Sequence, residues 1–267
     1  MNTANHTALI TGASAGIGAA FARHLAADGY SLLLVARREE RLQELAAELS
    51  EQHGVRCDVF AADLNDPAAP ASIMAVAESR GIAIDVLINN AGLSGKTAFA
   101  DTPWPKLAAE IQLMFTAVTE LCHRVLPGML ARGWGRIVNL SSLAAFAPPG
   151  ESLLYTGIKH YVLDMSQSLD MELKPQGVHV TALCPGFTRS EFHDTMGTRE
   201  AADKLPGMLW QEAEEVVKEG WDAVMKGRPV CVPGAVNKLV ASSVRPLPIG
   251  WQYRLGKRMN PFKDSGA

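Results

Sequence analysis

Short runs of apolar residues alternate with longer segments of mixed polarity along most of the chain. The short runs predict β-strands at 7–10, 31–36, 55–61, 84–88, 136–140, 178–183 and 230–232. Between them, apolar residues recur every three or four positions, which predicts helices at 16–28, 38–52, 67–80, 105–131, 153–174 and 211–226. Strands that alternate with helices favour right-handed crossovers and a mostly parallel sheet covered on both faces. The pattern therefore predicts a doubly wound α/β fold.

One domain accounts for most of this pattern. A chain of 267 residues is long enough to bury a substantial core in a single α/β domain. We expect this domain to span residues 1–240 and residues 241–267 to form a C-terminal tail, in which Pro246 and Pro248 precede the basic Arg254, Lys257 and Arg258. Two interpretations of the tail stay open: a solvated or subunit-covering segment, and a peripheral membrane contact.

The composition is typical of a soluble globular enzyme. Hydrophobic residues make up 48% and charged residues 20%, and the formal charge of -3 argues against nucleic-acid binding. The four cysteines are scattered without the spacing of a metal site, so we expect reduced, mostly buried thiols and no metal. No apolar run approaches the roughly 20 residues that cross a bilayer, and no signal core follows the N-terminus. These features predict a cytoplasmic protein without an integral membrane segment.

A glycine-rich turn follows the first predicted strand and opens the first helix. Residues 11–18 read Thr-Gly-Ala-Ser-Ala-Gly-Ile-Gly. Gly12 permits a tight turn, Gly16 lets the backbone approach a pyrophosphate, and Gly18 allows the helix to pack closely on the strand. The helix N-terminus adds N–H donors and positive potential. The turn therefore predicts a phosphate-binding site for a dinucleotide.

The end of the second predicted strand indicates which dinucleotide binds. Many dinucleotide-binding folds have an acidic residue there for the ribose 2′-hydroxyl, but this chain has Arg37 followed by Arg38. A carboxylate would repel a 2′-phosphate, whereas the planar guanidinium of Arg37 suits it. The sequence therefore favours NADP(H) over NAD(H), with Arg37 as the phosphate ligand and Arg38 as a solvated bystander.

Polar residues follow the third and fourth predicted strands, at the sheet edge where open α/β sheets bind ligands. Asp63, next to Leu64, can accept a hydrogen bond from an adenine amino group. Asn90 can contact the cofactor through its side chain or backbone, whereas we expect Asn89 to tie neighbouring strands together. This edge is the predicted cofactor site.

Ser142 and the pair Tyr155 and Lys159 complete a larger pattern. Together with the turn at 11–18, Asp63-Leu64, the run 89–92 and Pro185-Gly186, they resemble the short-chain dehydrogenase/reductase family from about residue 7 to 233. The resemblance implies a single Rossmann-like domain that transfers hydride between a nicotinamide and a carbonyl or alcohol. It implies Ser142, Tyr155 and Lys159 as catalytic residues. The implied cofactor-binding residues are Gly12, Ser14, Gly16, Ile17, Gly18, Arg37, Asp63, Leu64, Asn90, Tyr155, Lys159 and Thr188.

The spacing of Tyr155 and Lys159 has a physical rationale. Residues i and i+4 of a helix lie on one face, so the phenol and the ammonium can meet. A free phenol has a pKa of about 10, and an ammonium about 6 Å away contributes roughly 2–3 kcal/mol, or about two pKa units, to its ionisation. We therefore expect Lys159, with an oxidised nicotinamide, to lower the pKa of Tyr155 toward neutrality. Ser142 would hold the substrate oxygen near Tyr155, and Ser141 is interpreted as a backbone-packing hydroxyl.

The family resemblance also implies a substrate lid at about 190–212. The apolar residues of this lid favour a hydrophobic carbonyl substrate, although apolar residues at helical spacing also fit a core. The lid residues are Phe192, Met196, Leu205, Met208, Leu209 and Trp210. Phe146 and Leu153 are candidate walls of the substrate pocket. Thr188, just before the lid, either lies near the nicotinamide carboxamide or caps the next helix.

One residue departs from the family pattern. Met114 stands where the family usually has an asparagine that holds a water for proton exchange between the lysine and solvent. A thioether accepts hydrogen bonds poorly and donates none. We favour an active enzyme with a modified relay, in which Gln112 or Thr116 assists another water path. The alternative is an NADP(H)-binding regulator or scaffold with impaired catalysis. The helices at 105–131 and 153–174 often pair across two-fold axes in this family, which implies a homodimer or homotetramer.

Overall fold

A sheet of seven parallel strands forms the centre of the computed structural model. Residues 6–93, 99–146, 153–189, 207, 210–244 and 248–259 are described by the structure. The strands of this sheet are β1 (Thr7–Thr11), β2 (Ser31–Ala36), β3 (Cys57–Ala61), β4 (Ile84–Asn89), β5 (Gly135–Leu140), β6 (Val178–Leu183) and β9 (Val230–Cys231). Their order is β3-β2-β1-β4-β5-β6-β9, and each neighbouring pair is parallel. The predicted doubly wound α/β fold is confirmed.

Helices cover both faces of this sheet. They are α1 (Gly16–Ala27), α2 (Glu39–His53), α3 (Ala69–Ser79), α4 (Trp104–Ile111), α5 (Ala117–Arg132), α6 (Leu153–Leu173), α7 (Ala213–Met225), α8 (Ala235–Val244) and α9 (Ile249–Met259). Alternate residues of each strand point to opposite faces. Ile10 of β1 therefore joins a core with α1, α2 and α7, whereas Leu9 joins a second core with α3, α5 and α6.

The strand order places the ligand-binding crevice. From β1 the chain builds outward through β2 to β3, and from β4 it builds in the other direction. The crevice outside the carboxyl ends of β1 and β4 is therefore the topological switch point, where sheets of this type bind their ligands. The turn between β1 and α1 and the segment after β4 both lie at this point.

Most predicted elements are confirmed within two residues, but the long helix predicted at 105–131 is interrupted. A π-helical turn at Gln112–Thr116 separates α4 from α5. Such a turn inserts one extra residue into the helical repeat, and apolar periodicity does not reveal it. The interruption matters because Met114 lies within it.

The C-terminal region contains two helices. Residue 240, the predicted end of the domain, lies inside α8, and α9 follows at Ile249–Met259 within the predicted tail. A second sheet has two strands, β7 (Phe187–Thr188) and β8 (Trp210–Gln211). Gln211, the first residue of the helix predicted at 211–226, therefore lies in a strand. No helix within the described ranges is long and apolar enough to cross a bilayer. The four cysteines are free and three of them are buried, as predicted.

Candidate active site

Hydrogen bonds from the segment after β4 fix the glycine-rich turn. The Thr11 hydroxyl donates to the Ile88 carbonyl at 3.3 Å and accepts from the backbone N–H groups of Asn90 and Ala91 at 3.0 and 3.1 Å. The Asn90 side-chain amide donates to the carbonyls of Thr11 and Gly12 at 3.0 and 3.1 Å. The side chain of Asn90 therefore supports the turn, and contact of Asn90 with a cofactor, through its side chain or its backbone, stays a prediction.

Glycine is required at three positions of the turn. Gly12 and Gly16 have φ values of 64° and 54°, a left-handed conformation that side chains disfavour. At Gly18, an added Cβ would lie 2.3 Å from the Gly12 carbonyl oxygen and 2.5 Å from the Asn90 amide nitrogen. The close packing predicted for Gly18 is thus confirmed. Ile17 is half-buried against the first core, so its side chain serves packing while its backbone stays at the turn.

The N-terminus of α1 suits an anion. Its N-cap residue, Ala15, supplies no side-chain acceptor, and no acidic residue lies in the first turn. The N–H groups of a first helical turn lack partners within the helix. Together with the helix dipole, these donors fit the pyrophosphate of a dinucleotide. The residues present therefore fit such a cofactor.

The two arginines after β2 differ from the prediction. The Arg38 guanidinium donates to the Ser14 hydroxyl through Nη2 at 3.1 Å and Nε at 3.3 Å, so it lies against the glycine-rich turn. Arg37 is exposed at the same strand end. Arg38 thus bridges the turn and the entrance of α2, a contact that the sequence did not indicate, and which of the two arginines binds a phosphate stays a prediction. Both arginines are candidates for binding a phosphate here.

Asp63 and Leu64 follow β3 at the same edge of the sheet. The Asp63 carboxylate accepts from the backbone and side-chain N–H groups of Asn65 at 3.0 and 2.8 Å. It remains exposed, and so its remaining acceptor positions are accessible to an adenine amino group. Leu64 packs in the second core, which leaves mainly its backbone for a ligand.

A buried amide network joins the strands beneath the site. The Asn89 side chain donates to Asn139 Oδ1 on β5 at 2.9 Å, and Asn139 donates to the Ser166 hydroxyl on α6 at 3.0 Å. The predicted strand-tying role of Asn89 is confirmed. The network also fixes α6, which carries Tyr155 and Lys159, to the central strands.

The end of β5 and the start of α6 bring together Ser142, Tyr155 and Lys159. The Lys159 ammonium donates to the Leu140 carbonyl at 2.8 Å and lies 5.5 Å from the centroid of the Tyr155 ring. Lys159 is only 7% exposed. The Ser141 hydroxyl donates to the Lys159 carbonyl at 2.7 Å, which confirms its predicted backbone-packing role. The spacing of four residues thus brings a half-buried phenol and a buried cation together.

Burial dominates the ionisation of this pair. It raises the pKa of Tyr155 above its ordinary value, while a hydrogen bond with Ser142 acts in the opposite direction. Burial also lowers the pKa of Lys159 to about 8. In the chain without a cofactor, loss of solvation therefore sets the direction in which the Tyr155 pKa shifts. The lowering expected from Lys159 together with an oxidised nicotinamide stays a prediction for the cofactor-bound state.

Met114 is buried at the π-helical turn, below the segment that follows β4. It is 1% exposed, and its Sδ lies 3.8 Å from the position that a Cβ on Gly92 would take. The neighbouring Gln112 has a buried side-chain nitrogen with no hydrogen-bond partner in the described part of the chain. Thr116 is exposed. Gln112 is therefore the better placed of the two residues to hold a relay water.

Thr188 lies just before the predicted lid at about 190–212. It is buried in β7, and its hydroxyl donates to the Gly186 carbonyl at 3.3 Å. Trp210 lies opposite in β8, with its ring centroid 5.8 Å from that of Phe187. Of the remaining predicted lid and wall residues, Phe146 is half-buried, whereas Phe192, Met196, Leu205, Met208, Leu209 and the side chain of Leu153 lie outside the described residues. The capping alternative for Thr188 concerns residues outside them as well.

Asn237 supports this region and was not foreseen from the sequence. It is 4% exposed, and its amide donates to Gln211 Oε1 at 2.8 Å and to the Pro233 carbonyl at 3.0 Å. Its side chain leaves no room for a Cβ on Gly186. Asn237 therefore connects the Gly186 turn, β8 and α8. The only signal in the sequence is the amide side chain itself, in a helix of mixed polarity.

Known proteins resemble this chain along most of its length. Residues 6–201 match the family model described as short chain dehydrogenase. Serine 3-dehydrogenase of Agrobacterium fabrum is 36% identical over 207 residues, which cover 74% of this chain and 79% of that protein.

Two solved structures extend the likeness to the fold. A short-chain dehydrogenase from Sphingobium yanoikuyae in complex with NADPH is 34% identical, with a TM-score of 0.80 over 97% of this chain and 95% of its own. The bulky-bulky ketone specific alcohol dehydrogenase from Comamonas testosteroni is 30% identical, with a TM-score of 0.75 over 99% and 96% of the two chains. This chain belongs to the short-chain dehydrogenase family and is an oxidoreductase of that family.

Proposed function

We propose that this chain transfers hydride between NADP(H) and a carbonyl compound or secondary alcohol, with Tyr155 as the acid/base. The observation that carries the proposal is the group formed by the half-buried Ser142 and Tyr155 and the buried Lys159, in a fold whose first turn suits a pyrophosphate. When bound, the nicotinamide supplies or accepts the hydride. The protein provides the proton and the orientation of the substrate.

Tyr155 is suited to donate a proton at neutral pH. Since burial raises its pKa, the phenol stays protonated near neutrality and is ready to protonate the oxygen of a carbonyl as that oxygen gains negative charge. Ser142, which hydrogen-bonds Tyr155, would also bond the substrate oxygen and hold it near the phenol. The ammonium of Lys159 then stabilises the resulting phenolate.

Lys159 has donors to spare for a cofactor ribose. An ammonium has three N–H groups, and one of them donates to the Leu140 carbonyl. The others are available for ribose hydroxyls and for the phenolate. One buried cation would thus both position the cofactor and stabilise the base.

The preference for NADP(H) rests on the charge at the entrance of α2. Arg38 binds the Ser14 hydroxyl, and Arg37 is exposed beside it, so two guanidinium groups flank the turn. Arginine suits a phosphate because its donors form a planar fork. The solved Sphingobium yanoikuyae relative is a complex with NADPH, which supports the same preference.

The substrate is proposed to be a bulky, apolar carbonyl compound. The rings of Trp210 and Phe187 contact each other at a tilt beside the Gly186 turn, and Phe146 lies in the segment after β5, close in the chain to Ser142. The specificity of the Comamonas testosteroni relative for bulky-bulky ketones favours such a substrate. The proposed oligomer, a homodimer or homotetramer, would use the faces of α5 and α6, near which Phe115 and Met171 are exposed.

A second candidate function follows from Met114. A buried thioether in the position of the relay asparagine offers no donor for a water, so proton exchange with solvent would be slow. A chain that binds NADP(H) but turns over little would then act as a regulator or scaffold. The intact group of Ser142, Tyr155 and Lys159 favours the enzyme.

The proposed reaction is tested by the variant Tyr155→Phe. We expect NADPH oxidation with a panel of bulky ketones to fall at least about 100-fold, because the proton donor is lost, while the Kd for NADPH changes less than about threefold. Tyr161→Phe is the matched control, since the Tyr161 hydroxyl on the same helix pairs with Thr119 at 2.8 Å and should matter little. A Tyr155→Phe variant with wild-type activity contradicts the proposal, and a wild type that binds NADPH but reduces nothing supports the regulator.

The cofactor preference is tested by Arg37→Ala and Arg38→Ala. We expect each variant to raise the Kd for NADPH about tenfold or more, because a charge-assisted hydrogen bond to the 2′-phosphate is lost, with little change for NADH. Arg56→Ala is the control, since Arg56 pairs with Asp58 at 2.6 Å before β3. Fluorescence titration with both cofactors measures these effects. A wild type that prefers NADH contradicts the assignment.

The role of Met114 is tested by Met114→Asn. If the thioether limits proton exchange, we expect kcat to rise about threefold or more at saturating NADPH, because asparagine can hold a water. Met171→Asn makes the same change at an exposed position of α6 and should leave kcat unchanged. A melting curve with NADPH present checks that the buried asparagine is tolerated. An unchanged kcat in a folded Met114→Asn variant shows that this residue does not limit turnover.

A further inference from the structure

The C-terminal segment carries a charge opposite to that of the rest of the chain. Residues 241–267 contain five Lys or Arg residues and one acidic residue, a net charge of +4. Because the whole chain has a net charge of -3, residues 1–240 carry -7. An acidic body with a basic end is a polarised charge distribution. Such a distribution directs one face of a protein toward a negative partner.

Helix α9 concentrates aromatic and cationic residues. Trp251 is 67% exposed, Tyr253 is 64% exposed, and Arg254 is exposed as well. Lys257 and Arg258 follow Arg254 by three and four positions, the spacing that returns to the same face of a helix. Leu255 is half-buried and Gly256 is buried, so they mark the opposite, inner face. The sequence of α9 contains no acidic residue.

The preceding helix adds an apolar stripe. Val236, Leu239 and Val240 lie at positions i, i+3 and i+4 of α8, and all three are exposed. Together with the two aromatic residues of α9, they are five of the nine large hydrophobic side chains that stand exposed in the described residues. More than half of these exposed side chains thus fall within 18 successive positions, on two consecutive helices. Exposed apolar side chains concentrated in one part of the chain favour an interaction with a partner over single exposed residues scattered on the surface.

We propose that the surface formed by α8 and α9, which we call the C-terminal face, docks on the surface of a bilayer that contains anionic lipid. Tryptophan and tyrosine favour the membrane–water interface because each combines an apolar ring with a polar group. Lysine and arginine next to them are attracted to anionic headgroups. The acidic body is repelled by the same headgroups, so the charge distribution leaves the C-terminal face as the one that approaches the bilayer.

Charge also argues against a second copy as the occupant of this face. In a two-fold symmetric contact the same patch lies on both subunits. Because α9 has basic residues and no acidic residue, two copies of this patch would bring surfaces of like charge together, which destabilises an interface. An anionic surface relieves this repulsion instead. The bilayer is therefore the better electrostatic complement.

The proposal is independent of the proposed reaction, because none of its residues belongs to the candidate active site. It is tested by flotation of the full chain with vesicles of phosphatidylcholine that contain about 30% phosphatidylserine, and with vesicles of phosphatidylcholine alone. We expect binding only to the anionic vesicles, and its loss in high salt, which screens the attraction. Variant Arg254→Glu should weaken binding about fivefold or more and Trp251→Ala about tenfold.

Matched controls lie outside the C-terminal face. Arg228→Glu changes another exposed arginine, and Trp104→Ala removes another tryptophan that is 67% exposed. Both controls should bind vesicles like the wild type. The proposal is overturned if the wild type does not float with anionic vesicles in low salt, or if the controls weaken binding as much as the variants. It is also overturned if Trp251→Ala changes the mass in light scattering without any vesicle binding, which would assign the face to a subunit contact.

Discussion

The candidate site depends on a lysine ammonium held out of water beside a tyrosine. Burying a cation is costly unless polar groups compensate for the lost solvation. Here the Leu140 carbonyl accepts a hydrogen bond from Lys159, and the Ser141 hydroxyl donates to the Lys159 carbonyl. Both partners come from the end of β5, so the packing of α6 on β5 fixes the position of the cation. The lowered pKa of Lys159, about 8, reflects the remaining cost.

Much of this arrangement could be predicted from the sequence, because alternating apolar runs specify the strands and glycines specify the turn at 11–18. The roles of Asn89 and Ser141 were also predictable, since their positions next to site residues implied packing. The rise of the Tyr155 pKa in the chain without a cofactor could not be predicted from the sequence. Its pKa depends on how much water the surrounding chain excludes, and spacing along a helix contains no such information.

Other differences arise from contacts that join distant parts of the chain. Arg38 reaches Ser14 across 24 positions, which a local pattern does not reveal. Asn237 supports the Gly186 turn from α8, and the π-helical turn around Met114 inserts a residue that does not disturb the apolar pattern. These long-range contacts adjust the site, whereas the local patterns determine the fold around it.

Two groups of basic residues in this chain suit different kinds of negative partner. Arg37 and Arg38 stand at the entrance of α2, where a single phosphate would be bound with defined geometry. Three basic residues occur within five positions of the α9 sequence, and Arg254 among them is exposed, which suits a diffuse negative surface rather than one ligand. An enzyme for apolar carbonyl compounds that docks on lipid would meet its substrates where they partition.

For Tyr155 to act as the proposed proton donor, burial has to keep it protonated until a positive nicotinamide is bound. An ultraviolet difference titration of the wild type against Tyr155→Phe isolates this residue from the other three tyrosines. We predict a Tyr155 pKa above its ordinary value of 10.0 without cofactor, and a fall of at least about one unit when NADP⁺ is bound. A pKa below 10.0 in the cofactor-free chain, or one that NADP⁺ leaves unchanged, would contradict the account.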